Sequence, residues 1–167
     1  MADEYERLRL QWRWEHHDAV VAAMRKPLRE GSLPDFQRAG QIGWIQVQVR
    51  EIGRIVQELA EKFPGDSYIT RPLSSQPTEE ELRYEFDELD VFIRHVRARL
   101  ANGLDPRFKR DNVSLLRRYL AQVEENRRQF AVRYPHSWFA GRPLSSDPTP
   151  VELEIPETVS GTSDGNP

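Results

Sequence analysis

The run Arg71-Pro72-Leu73-Ser74-Ser75-Gln76-Pro77-Thr78 returns as Arg142-Pro143-Leu144-Ser145-Ser146-Asp147-Pro148-Thr149. An internal repeat of this kind constrains the fold more than any other feature, because each copy is one supersecondary unit with an apolar face to bury. The agreement extends backward through both copies. At the same shift Phe63-Pro64 meets Tyr134-Pro135, and Ile42, Ile45, Val49, Ile52 and Leu59 meet Val113, Leu116, Leu120, Val123 and Phe130. After a slip of one residue, Gly31, Pro34, Phe36 and Arg38 meet Gly103, Pro106, Phe108 and Arg110. Further back, Trp12, Trp14, Asp18 and Arg25 meet Tyr84, Phe86, Asp90 and Arg97. The chain reads as a tandem duplication, with one unit over about 6–77 and the next over about 78–149.

Periodicity says what each unit is. Leu82, Phe86, Leu89, Ile93, Val96 and Leu100 alternate spacings of four and three, which puts them on one stripe of an α-helix. Ile42, Ile45, Val49, Ile52, Val56, Leu59 and Phe63 do the same, and so do their partners from Val113 to Tyr134, with Arg127 interrupting the stripe. The punctuation agrees. Thr78 with Glu81 forms a capping box, and Thr149, Pro150 and Glu152 repeat it, although Pro156 then forbids a long helix. Gly31 and Gly103 stop the first helix of each unit, and Pro34 and Pro106 set the following turn. The expected architecture is an all-α four-helix bundle built from two tandem-duplicated helical hairpins. Helices are expected near 4–29, 37–63, 78–101 and 108–133, with extended proline-rich loops and an irregular C-terminal tail. Residues 1–157 are expected as one helical domain and 158–167 as a flexible polar tail.

The chain has no cysteine, so disulfides, thiolate metal sites and cysteine nucleophiles are excluded. The longest apolar run, Ala19 to Met24, is too short to cross a bilayer, and the polar start after Met1 lacks the pattern of a secretory leader. A cytoplasmic protein without a membrane partner is expected. Residues 91–142 are basic, and beyond Arg142 only acidic charges follow.

Several groups of residues are candidates for function. His16 and His17 lie in the densest cluster of possible metal ligands, and His17 occupies a core-stripe position held by Leu89 in the other unit. Adjacent helical residues diverge by about 100°, however, and the Glu-x-x-His pair of carboxylate-bridged di-metal bundles is absent from the sequence. A histidine with its ring nitrogen satisfied at the margin of the hairpin is favoured. Asp18 and Arg25, repeated as Asp90 and Arg97, lie seven residues apart on one helical face and suit either a ligand or a structural ion pair. The twin loops, with Arg71 and Leu73 in one, Arg142 and Leu144 in the other, and Trp138 just upstream, suit either docking arms for a partner or plugs on the hairpins.

The second helix of the first unit carries Trp44, Val47, Ile55 and Val56 where the copy has Leu115, Arg118, Asn126 and Arg127. An excess of apolar side chains of that kind suits contact with another chain. No phosphate-binding glycine loop, nucleophile elbow or convergent catalytic set occurs in the sequence. No catalytic residue and no cofactor is therefore assigned. The function expected is that of a non-catalytic accessory or adaptor subunit that binds other protein chains, in a hetero-complex or a homo-oligomer. Two other classes are weighed beside it: a nucleic-acid-binding subunit using the basic second hairpin through Arg117, Arg118, Arg127 and Arg128, and a small metal- or ligand-dependent enzyme centred on His17.

Overall fold

Each apolar stripe forms a helix, and each helix ends where the punctuation places its end. In the computed structural model, which describes residues 2–103 and 105–154, the chain is all-α, with no strand among the described residues. Four long helices, α1 (Ala2–Arg29), α2 (Asp35–Lys62), α3 (Glu79–Ala101) and α4 (Pro106–Arg133), are followed by a short α5 (Pro150–Glu154). Single 3-10 turns at Ser67–Ile69 and Trp138–Gly141 interrupt the two proline-rich loops. Pro156 and the tail from 158 lie outside the described residues.

The helix ends have local causes. Gly31 takes φ 65° and Gly103 φ 79°, the left-handed region that side chains with a Cβ avoid. At the end of α1 the amide of Ser32 donates to the Pro27 carbonyl at 3.1 Å and that of Gly31 to Leu28 at 3.3 Å, which closes a Schellman motif. Asp105 caps α4 by accepting from the Arg107 amide at 2.9 Å, with Pro106 at the first helical position. Phe63 and Tyr134 end α2 and α4 with almost the same backbone, φ −133° and ψ 62° against φ −134° and ψ 61°.

The chain divides into two compact units, residues 1–84 and the remainder from Glu85, so that the first turns of α3 belong to the first unit. Each unit has its own core. In the first, α1 and α2 run antiparallel: Lys62 reaches Glu6 at 2.7 Å, His17 meets Gln48 at 2.6 Å and Gln41 donates to the Met24 carbonyl at 3.0 Å. Leu10, Trp14, Val21 and Leu28 pack there against Ile42, Ile45, Ile52, Ile55 and Leu59. In the second unit Phe86, Leu89, Ile93, Val96 and Leu100 pack against Val113, Leu116 and Val123. Both cores consist of the 3-4 spaced residues, as ridge-in-groove packing of helices requires. No described helix is long and apolar enough to cross a membrane.

Candidate functional site

Most of the polar residues buried in each unit gather where the proline-rich loop crosses the first helix. Asp18 and Arg25 lie on one face of α1, both buried, but they do not pair with each other. Asp18 accepts from the backbone amide of Ser74 at 2.9 Å. Arg25 reaches the next helix instead. Its Nε donates to Oε1 and Oε2 of Glu81 at 2.9 and 3.2 Å, its Nη2 lies 2.9 Å from Oε1, and its Nη1 donates to the carbonyl and hydroxyl of Ser75 at 2.5 and 3.1 Å. Glu81 also closes the capping box, accepting from the amide and hydroxyl of Thr78 at 2.8 and 2.9 Å. One carboxylate therefore caps a helix and neutralises a buried guanidinium, the fully satisfied arrangement a buried ion pair needs.

The same set recurs in the second unit. Asp90 accepts from the Ser145 amide at 2.8 Å, Arg97 forks onto Glu152 with its Nε 3.2 Å from both oxygens, and Thr149 donates to Glu152 at 2.6 Å from its amide and 2.8 Å from its hydroxyl. Arg97 also donates to the Ser146 carbonyl. The short α5 thus supplies the second unit with the carboxylate that the start of α3 supplies to the first.

The loops themselves lie along their hairpins. The Arg71 guanidinium stands over the rings of Tyr68 at 4.5 Å and Trp14 at 5.0 Å, and Arg142 stands over Phe139 at 5.1 Å and Phe86 at 5.2 Å. Each also meets an acid on the first helix, Glu15 at 3.4 Å and Asp87 at 2.5 Å. Tyr68 donates its hydroxyl to Glu15, and that hydrogen bond to a carboxylate holds the phenol above its ordinary pKa. Leu73 and Leu144 are half-buried against the first and second cores. Of the loop candidates Trp138 is exposed, at 68%, and Arg71 is exposed as well.

The histidines do not converge on an ion site. His17 shares a hydrogen bond with Gln48 across the hairpin, and His16 stacks on Trp12 with ring centres 5.6 Å apart. Among the described residues no cluster of three or more His, Cys, Asp and Glu side chains is arranged to hold a metal. On α4, Arg127 and Arg128 hold Glu124 and Glu125 one turn away, each at 2.7 Å, and Arg127 also donates to the Arg142 carbonyl. Arg127 and Arg128 are thus engaged within the helix and its loop.

The four apolar candidates on α2 fall into two classes. Trp44 and Val47 are exposed, at 61% and 38%. Ile55 is 1% exposed and Val56 is half-buried, both packed in the first core, so Ile55 is a core residue and offers no surface to a partner. Its counterpart Asn126 is also buried, donating to Glu85 at 2.7 Å, which shows that this position faces inward in both units whatever its polarity. Compared with protein-family models, curated proteins and solved structures, the chain matches none.

Other exposed apolar side chains escaped the sequence reading. Phe36 is 82% exposed on the same side of α2 as Trp44 and Val47, while Tyr5, Leu8 and Trp12 are exposed along the outer side of α1. Their spacings of three and four, set off from the core stripe of Leu10, Trp14 and Val21, are the signal that finds them.

Proposed function

We propose that the chain is a duplicated helical hairpin serving as a non-catalytic accessory subunit of a cytoplasmic multi-protein assembly, and that it binds another protein chain through the outer face of α2. The observation that carries this reading is the exposure of Phe36, Trp44 and Val47 on one side of a helix whose opposite side is already buried. Large side chains of this kind are the anchors of protein interfaces, and aromatic residues are enriched among them. Gly40 and Gly43 lie on the same side, and a Cβ added at either meets nothing within 4 Å. Each interior glycine costs a helix about 1 kcal/mol relative to alanine, and the second unit has Asp111 and Ser114 in their place. A low surface between aromatic side chains suits close approach by a partner.

The test is affinity purification from the native host with the mass of the complex measured by light scattering, using wild type and Trp44→Arg. The expected outcome is a co-purifying chain that Trp44→Arg releases while the variant keeps its helical circular dichroism. A wild-type protein that is strictly monomeric and brings down no chain contradicts the reading.

A further inference from the structure

We infer that the outer face of α1 pairs two copies of this chain, helix against parallel helix, through Tyr5, Leu8 and Trp12. The inference rests on the protein-binding reading but concerns a different face, and names a second copy as the occupant.

Tyr5, Leu8 and Trp12 are 73%, 53% and 64% exposed, at spacings of three and four. This is a second apolar seam on a helix whose core seam is already satisfied by α2. Exposed Ala19 and Ala23 continue this side of the helix toward its C-terminal half. Glu15, which follows Trp12 in the seam, is drawn aside to the loop by Tyr68 and Arg71. His16 stacks on Trp12, with ring planes 16° apart.

The matched positions of the second copy show what such positions do when they are covered. Pro77, Glu80 and Tyr84 stand where α1 has Tyr5, Leu8 and Trp12, and all three are half-buried within the first unit. Glu80 forks onto Arg38 at 2.7 to 3.0 Å, and Tyr84 packs against the first core. The α1 stripe is richer in apolar groups than this covered one, yet nothing among the described residues covers it.

The charges beside the seam select the occupant and its direction. With Tyr5 and Leu8 as the two seam positions of a heptad, Glu4 borders the seam on one side and Arg9 on the other. Across a parallel pair of helices the residue before one seam position faces the residue five further on in its neighbour. Glu4 of each copy therefore meets Arg9 of the other, twice by two-fold symmetry. Both side chains are available for this, at 57% and 53% exposed, with only the surface partners Arg7 and Glu6 to exchange. An antiparallel pair sets like flank against like flank and brings the Arg9 side chains together.

The test is sedimentation velocity of the full chain over a wide concentration range. A reversible dimer is expected, weakened about tenfold or more by Leu8→Glu or Trp12→Glu. Glu4→Arg and Arg9→Glu should each weaken it about threefold or more, and the double variant Glu4→Arg/Arg9→Glu should restore it. All these sites are exposed, so circular dichroism should be unchanged. A wild-type chain that is monomeric throughout overturns the inference, as does a double variant no stronger than either single one. A dimer lost on Trp44→Arg but indifferent to Trp12→Glu also overturns it, placing the second copy on α2 and leaving the protein-binding reading intact. A monomer that still captures a partner through Trp44 separates the two in the same way.

Discussion

Among single residues, Glu81 combines the most roles. Its carboxylate closes the cap of α3 through Thr78 and neutralises Arg25, and both partners of the ion pair are nearly sealed from water, with side chains 3% and 8% exposed. Removing one member of such a pair leaves a buried charge without compensation, which is far more costly than never having built the pair. Glu81→Gln keeps the shape and some of the hydrogen bonds but loses the charge. It is expected to lower the stability of the first unit by about 3 kcal/mol in urea unfolding, whereas a loss below about 1 kcal/mol, the range of a surface pair, would mean that water reaches Arg25. Arg97 and Glu152 repeat the arrangement with side chains 6% and 10% exposed. The Asp18–Arg25 spacing suggests an ion pair between them, but the true partner of Arg25 lies 56 residues away, and Glu81 by itself looks like an ordinary capping-box glutamate. Polarity in the sequence was an equally poor guide at Asn126, whose burial shows that the matched Ile55 faces the core.

At the level of elements, α5 is short but not a vestige. Thr149 and Glu152 form its cap, Glu152 neutralises Arg97, and Val151 packs on the second core. A chain ending at Pro148 should therefore lose about 3 kcal/mol in the second unit, seen as faster amide exchange across α3 and α4, with α1 and α2 unchanged. Undiminished protection in the second unit would show that α5 is dispensable. On α4, the helix-surface pair of Glu125 and Arg128, with Gln129 also donating to the acid, lowers the Glu125 carboxyl from its ordinary 4.5 to about 2. A depressed carboxylate adds stability that is fully present above pH 4.5 and is lost as the pH falls through about 2. Glu125→Gln should thus melt below wild type at neutral pH and converge with it on acidification. The gap should also shrink in high salt, because the acid is half exposed. A gap that widens toward acid would reverse the sign assigned to this pair.

For the molecule as a whole, the 3-4 stripes and the capping boxes carry the all-α architecture legibly, since periodicity and caps are local properties. Helix starts and stops follow from Gly31, Gly103, Pro106 and Thr78. The closure of each unit is not legible in the same way, because it joins Arg25 to Glu81 and Arg97 to Glu152 across more than fifty residues. Trp12 and Tyr84 make the same point about surfaces. They are aromatic residues at matched positions, yet Tyr84 packs against the first core and Trp12 stands in solvent, a difference that comes from what lies beside the helix. A unit is a hairpin, its loop and the first turns of the next helix, held shut by one buried arginine–glutamate latch. The most direct test of this claim compares the unfolding of two fragments, residues 1–84 and residues 1–77, by circular dichroism in urea. The longer fragment, which contains Glu81, should unfold cooperatively and be more stable by about 3 kcal/mol. Equal stability of the two fragments would contradict the claim.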